Sequence, residues 1–169
     1  MTAHLRAPVL AFIALGGNLG DAKALVGAAV EQMATLPQTV LVAQSGLYRT
    51  APIEASGPDF INAVVALDAV SPAPTLLDDL FDIEARFGRS RSVKNAPRTL
   101  DLDLLLYGNE TSDDPLLTLP HPRLHERAFV LAPLAEIAPE LFIPGRGAVR
   151  ELLARCADQQ IEKLVPQTA

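Results

Sequence analysis

One cysteine stands in the 169 residues, Cys156, so no internal disulfide can form and a reducing, cytoplasmic setting is expected. Aromatic residues are scarce at 5%, and the formal net charge is −6. An RNA- or DNA-binding sheet needs aromatic stacking platforms and basic surface, so nucleic acid is not an expected partner. The same charge argues against an anionic membrane surface. No apolar run approaches the length of a membrane span. Several chemistry-bearing patterns are missing as well. There is no G-x-x-x-x-G-K-[ST], no protein-kinase set, no G-x-S-x-G and no Cys-x-x-Cys. P-loop, hydrolase, zinc and thiol chemistries therefore have little support. An anionic substrate would have to be held by a local basic cluster.

What is present is a core. Hydrophobic residues make up 49% of the chain, enough for one packed domain over residues 1–169. The apolar run after Arg6 resembles a short signal segment, but it leads straight into a turn and a capped helix and is read as a buried strand over 9–15. GGNLGD then turns the chain, with Asp21 as N-cap of a helix reaching about residue 36. Strands are expected over 40–48 and 60–70, separated by a Pro/Gly-rich loop. Pro72 and Pro74 open a second helix whose Leu76, Leu80, Ile83 and Phe87 share one face, with Gly88 as its stop. A basic loop over 89–98, a strand over 99–107, a helix over 126–137 and a short helix over 150–156 complete the chain. The order strand, helix, strand, strand, helix, strand predicts a ferredoxin-like α+β sandwich, with two helices on one face of a mainly antiparallel sheet.

The sharpest local feature is RTLDLDLLLY. Alternation along a strand puts Thr99, Asp101, Asp103, Leu105 and Tyr107 on one face and Leu100, Leu102, Leu104 and Leu106 on the other. Two aspartates roughly 7 Å apart on one strand face repel each other, and divalent cations would offset that repulsion. A solvated strand face is the other reading of the same spacing. Arg89, Arg91, Lys94 and Arg98 lie just upstream, a cationic cluster in an acidic protein. Carboxylates for metal beside cations for phosphate are what a polyphosphate site needs. His121 stands between two prolines, which makes it a rigid candidate donor to phosphate, whereas His125 reads as a surface histidine. GGNLGD reads first as a tight turn and second as a substrate-facing segment. A non-catalytic ferredoxin-like module binding a ligand or RNA remains the rival class.

Four segments together resemble the 6-hydroxymethyl-7,8-dihydropterin pyrophosphokinases of folate synthesis, over about residues 12–144. They are FIALGGNLGD, LYRTAPI with GPDFINAVV, KNAPRTLDLDLLLYG, and LPHPRLHERAFVLAPLAEIAPEL, in the family's order. The resemblance implies transfer of pyrophosphate from ATP to a reduced hydroxymethylpterin, releasing AMP. It implies that Asp101 and Asp103 bind two Mg2+ ions that also hold the ATP phosphates, and that Arg89, Arg98 and Arg127 engage those phosphates. Asp103 is also a candidate aid to deprotonation. Leu77, Glu84, Leu104, Thr118 and His121 are implied on the nucleotide side, with a structural ion pair as the alternative for Glu84. Phe60 and Phe129 are implied to sandwich the pterin, with Asn62 and the backbone around Thr50 and Ile53 reading its polar edge. The chain departs from some members at Asn95-Ala96, Ala51 and Pro122. ATP and the pterin are the expected partners, and a monomer is the expected state.

Overall fold

The computed structural model describes residues 7–18, 20–51, 58–87 and 100–165. Ile53, Gly88, Arg89, Arg91, Lys94, Arg98 and Thr99, all named above, lie outside the described residues. Strand β1 (Val9–Gly17) leads to helix α1 (Ala22–Ala34), then β2 (Thr39–Gln44), β3 (Tyr48–Thr50) and β4 (Phe60–Ala69). Helix α2 (Ala73–Arg86) and strand β5 (Asp101–Tyr107) close the ferredoxin-like unit. Asp21 caps α1 as expected, its Oδ1 accepting from Ala24 N–H at 3.1 Å. Pro72 and Pro74 start α2, where a missing N–H costs nothing.

The main sheet runs β3-β4-β1-β5, every pairing antiparallel. The expected strand over 40–48 is two strands, β2 and β3, laid end to end along the same edge of β4. Between them Ser45 keeps the ladder alive: its N–H donates to Val64 O at 2.9 Å, and its Oγ accepts from Val64 N–H at 3.0 Å. A side-chain hydroxyl substitutes there for a backbone carbonyl, which periodicity cannot reveal.

One core layer packs α1 and α2 on the sheet. Leu76, Leu80 and Ile83 of α2 meet Ile13, Leu15, Leu102 and Leu104 there. Each such side chain contributes roughly 1.5–3 kcal/mol by leaving water. The opposite sheet face is covered too, beyond what the sequence order suggested. The hairpin β6 (Ser112–Asp114) and β7 (Leu117–Leu119) follows β5. A 3-10 turn (Leu124–Glu126) and helix α3 (Ala128–Ile137) come next, so the helix expected from residue 126 begins two residues later. The small hairpin β8 (Phe142–Ile143) and β9 (Gly147–Ala148), helix α4 (Val149–Ala154) and strand β10 (Glu162–Lys163) complete the chain. Leu131 and Leu134 of α3 and Val149 and Leu152 of α4 bury Phe12, Val64 and Ala66 in a second cluster. Strand β10 adds to the outer edge of β3.

The alternation expected along β5 holds only to Leu105. The register with β1 slips between Ile13↔Leu104 and Phe12↔Leu106, so β5 carries a bulge at Leu105. Leu105 and Leu106 therefore both enter the α3/α4 cluster, and Tyr107 turns into the α1/α2 core. There its hydroxyl donates to Ser71 O. The extra residue exchanges the faces of Leu106 and Tyr107 without disturbing Asp101 and Asp103.

Candidate active site

Registered residues in neighbouring antiparallel strands share a face, so the strand register lays out the floor of the site. One row crosses four strands as Tyr48, Asn62, Gly16 and Asp101; the next runs Val64, Ala14 and Asp103. Gly16 and Ala14 leave the middle of this floor low. A Cβ added at Gly16 would stand 3.0 Å from Asn62 Oδ1. Above the floor lies a cavity of about 630 Å³. Its walls include Phe60 and Phe129 as well as Asp101, Asp103, His121 and Arg127.

Most of the expected residues meet in this cavity: Thr50, Phe60, Asn62, Leu77, Asp101, Asp103, Leu104, Thr118, His121, Arg127 and Phe129 all line it. Glu84 does not. It is 1% exposed on α2, behind β5, and its Oε2 accepts from Leu102 N–H at 2.9 Å. It thus grips the backbone between the two aspartates. Thr50 and Asn62 are joined, Asn62 Nδ2 donating to Thr50 Oγ1 at 2.9 Å. That bond aims the rest of the Asn62 amide toward Gly16 and the cavity. Arg127 precedes α3 and stacks its guanidinium over the Phe129 ring, 5.6 Å from the centroid. His125 is not a plain surface residue: its side chain is 21% exposed, and its Nδ1 is buried with no hydrogen-bond partner among the described residues.

Burial pushes the Asp103 carboxyl above its ordinary range; Asp101 and Glu84 push the same way, while His121 and Arg127 oppose them. Burial pushes His121 down; Asp103 opposes this, and Arg127 and Arg123 add to it. His121 N–H donates to Leu105 O at 2.9 Å, and its Nδ1 accepts from Arg123 N–H at 3.2 Å. An accepting Nδ1 puts the proton of the neutral ring on Nε2, a hydrogen-bond donor for the cavity.

The donor set fits magnesium. Among the described residues no group of three or more His, Cys, Asp or Glu side chains converges as a complete metal cage. Two carboxylates on one strand face, one of them raised by burial and, less, by the other, match a hard cation that takes one or two protein carboxylates and completes its shell with water and phosphate oxygens.

A sequence model of the family described as 7,8-dihydro-6-hydroxymethylpterin-pyrophosphokinase (HPPK) matches residues 12–139. The chain belongs to the HPPK family. A 2-amino-4-hydroxy-6-hydroxymethyldihydropteridine pyrophosphokinase of Pseudomonas aeruginosa is 45% identical over 90% of this chain and 95% of its own length. One of Methylorubrum extorquens is 44% identical over 91% of this chain and 98% of its own. In fold, the chain is similar to a crystal structure of Plasmodium falciparum HPPK-DHPS wild type with pteroate, with TM-score 0.72 and 12% identity. That match covers 93% of this chain and 44% of the other, so the chain spans under half of the HPPK-DHPS protein. The HPPK assignment makes the chain an ATP-dependent diphosphotransferase of folate biosynthesis, which passes pyrophosphate from ATP to 6-hydroxymethyl-7,8-dihydropterin. Nothing in these findings favours the rival binding module. No helix among the described residues is long and apolar enough to cross a membrane.

Several cavity residues of this HPPK were not singled out from the sequence: Ala14, Gly16, Phe81, Leu117 and Val130. Gly16 carried a signal in GGNLGD. The motif is expected first as a turn and second as a substrate-facing segment; Gly16 and Gly17 end β1, Gly16 lines the cavity, and among the described residues of that motif positive φ is found at Gly20. Small size on a strand, not turn geometry, is what Gly16 supplies.

Proposed function

We propose that the two ends of the cavity divide the two substrates of the HPPK reaction between them. The supporting observation is one floor that carries the Thr50–Asn62 pair at its β3/β4 side and the Asp101–Asp103 pair at its β5 side, with Gly16 and Ala14 between. The pterin lies between Phe60 and Phe129, an arrangement that favours a planar heterocycle. Asn62 and the backbone at Thr50 and Ile53 read its polar edge. ATP lies against Leu77, Leu104, Thr118 and His121.

Asp101 and Asp103 would hold two Mg2+ ions together with the triphosphate. Such ions supply charge neutralisation and Lewis acidity at the transferring phosphorus. Arg127, with Arg89 and Arg98, neutralises the remaining phosphate charge, and His121 Nε2–H donates to a phosphate oxygen. Glu84 acts on the nucleotide side through its hold on the Leu102 N–H. The hydroxymethyl oxygen then attacks the β-phosphorus in line. A P–O bond forms to the pterin, the bond between the β-phosphorus and the α–β bridging oxygen breaks, and AMP leaves. The hydroxyl proton is lost as the bond forms, and Asp103 is the nearby carboxylate able to take it. The protein works as a cytoplasmic monomer with no nucleic-acid partner, a setting its charge of −6 and single cysteine favour.

The test is a single incubation of protein, ATP, magnesium and the reduced pterin alcohol, with the nucleotides separated by chromatography. AMP in step with pterin diphosphate is expected. Pterin-dependent ADP would refute the β-phosphorus geometry, and AMP formed equally without pterin would mean hydrolysis. Elution as a dimer in size-exclusion chromatography would overturn the monomer.

A further inference from the structure

Glu136, on the last turn of α3, is joined to three separate parts of the chain. Its Oε2 accepts from Gly46 N–H at 2.9 Å, and its Oε1 accepts from the Tyr48 hydroxyl at 2.6 Å. Lys163 Nζ of β10 stands 3.2 Å from the same Oε1. Burial alone would raise this carboxyl; the Tyr48, Gly46 and Lys163 contacts hold it below its ordinary range. No chemistry at the cavity uses Glu136, since it is not among the lining residues.

What it anchors is close to the chemistry. Glu136 lies seven residues, about two turns, beyond Phe129 on α3, so the two side chains leave the same side of the helix. Tyr48 registers with Asn62, and Thr50, two residues on, registers with Phe60. Tyr48 is 7% exposed on the same strand face as Thr50. Helix α3 thus carries one wall of the aromatic pair and, two turns later, the carboxylate that ties it to the strand beside the other wall. At its opposite end α3 is held by Gln159, whose Oε1 accepts from Ala128 N–H at 2.9 Å and whose Nε2 donates to Glu126 O at 2.8 Å.

We infer that Glu136 and Tyr48 are positioning residues for the pterin half of the site: their hydrogen bond sets the distance between α3 and β3/β4, and with it the gap between Phe129 and Phe60. Strand β10 takes part through Lys163, so the C-terminal segment helps to shape pterin binding. The inference rests on the assignment of the pterin to the Phe60/Phe129 end.

The experiment measures KM for pterin, KM for ATP, and kcat in Tyr48→Phe, Glu136→Ala, Glu136→Gln and Asn62→Ala, each with its melting temperature. Tyr48→Phe removes only the hydroxyl, so the fold survives. A rise of roughly five- to tenfold in pterin KM is expected, because only part of the loss of one hydrogen bond to a charged group reaches the pterin walls, with ATP KM within about twofold of wild type. Glu136→Gln, which keeps an acceptor for Tyr48, should restore most of what Glu136→Ala loses in pterin KM. If Tyr48→Phe melts earlier while pterin KM stays put and Asn62→Ala raises it, the positioning role is wrong and the pterin assignment stands. An equal rise in both KM values would mean general loosening and would also overturn the inference. Unchanged pterin KM in Asn62→Ala would refute the pterin assignment itself.

Discussion

Replacing Asp103 by Asn should separate stability from function at this site. Asp103 and Asp101 share a strand face with a spacing of roughly 7 Å. At an effective dielectric of about 20, two unit charges at that distance repel by roughly 2 kcal/mol. Asp103 also faces the charge of Glu84 and loses solvation by burial, both of which disfavour its ionised form. Against this, Arg127 favours the charge. His121, pushed down by burial and the neighbouring arginines, is neutral at pH 8 and offers little attraction there. The open cavity lets water screen part of each interaction. The balance is a gain of about 1–2 kcal/mol for Asp103→Asn when no metal is present. For a chain of this size that corresponds to a melting temperature higher by roughly 2–8 °C. The assay is thermal unfolding with a chelator at pH 8, followed by turnover at saturating ATP, pterin and magnesium. Turnover should fall close to background. A lower melting temperature without metal, or turnover near wild type, would refute the account of Asp103 as a group held at the expense of stability for its ligand.

Other consequences are open to measurement. Gly16→Ala puts a Cβ 3.0 Å from Asn62 Oδ1, so Asn62 must move and strain its bond to Thr50; pterin KM should rise several-fold with the melting temperature within about 2 °C of wild type, and an unchanged KM would show that the floor tolerates a methyl group. Glu84→Ala leaves the buried Leu102 N–H without its acceptor and should cost about 1–3 kcal/mol in denaturant unfolding, whereas Glu84→Gln should cost less. Glu136 is held below the ordinary carboxylate range, so its contribution is present at neutral pH and is lost as pH falls from that range through its lowered folded value; Glu136→Gln should flatten that acid limb of the stability curve, and an unaltered limb would show that its contacts carry no net charge effect.

The chain's own pattern was enough for the alternation of strands and helices in the ferredoxin-like unit, the N-cap at Asp21, the apolar face of α2 and the aspartate pair, because each depends on neighbours two to four residues apart. The four motif segments were enough for the family; they contain nine of the expected residues that line the cavity, and the family resemblance pointed to two more, Leu77 and Thr118. Tertiary structure decided the rest. The bulge at Leu105 depends on the register against β1 and moves Tyr107 to the opposite core, which an alternating pattern cannot anticipate. Gly16 matters because β1 lies between β4 and β5, so that its missing side chain opens the floor beside Asn62; a sequence shows a glycine but not what it stands next to. Glu84 and Glu136 read as ordinary helix acids in the chain. One is buried against a strand backbone 18 positions away, and the other joins groups up to 90 positions away. Contacts of that separation form only when the layers close, and they determine which of two similar carboxylates grips β5 and which ties α3 to the strand at Tyr48.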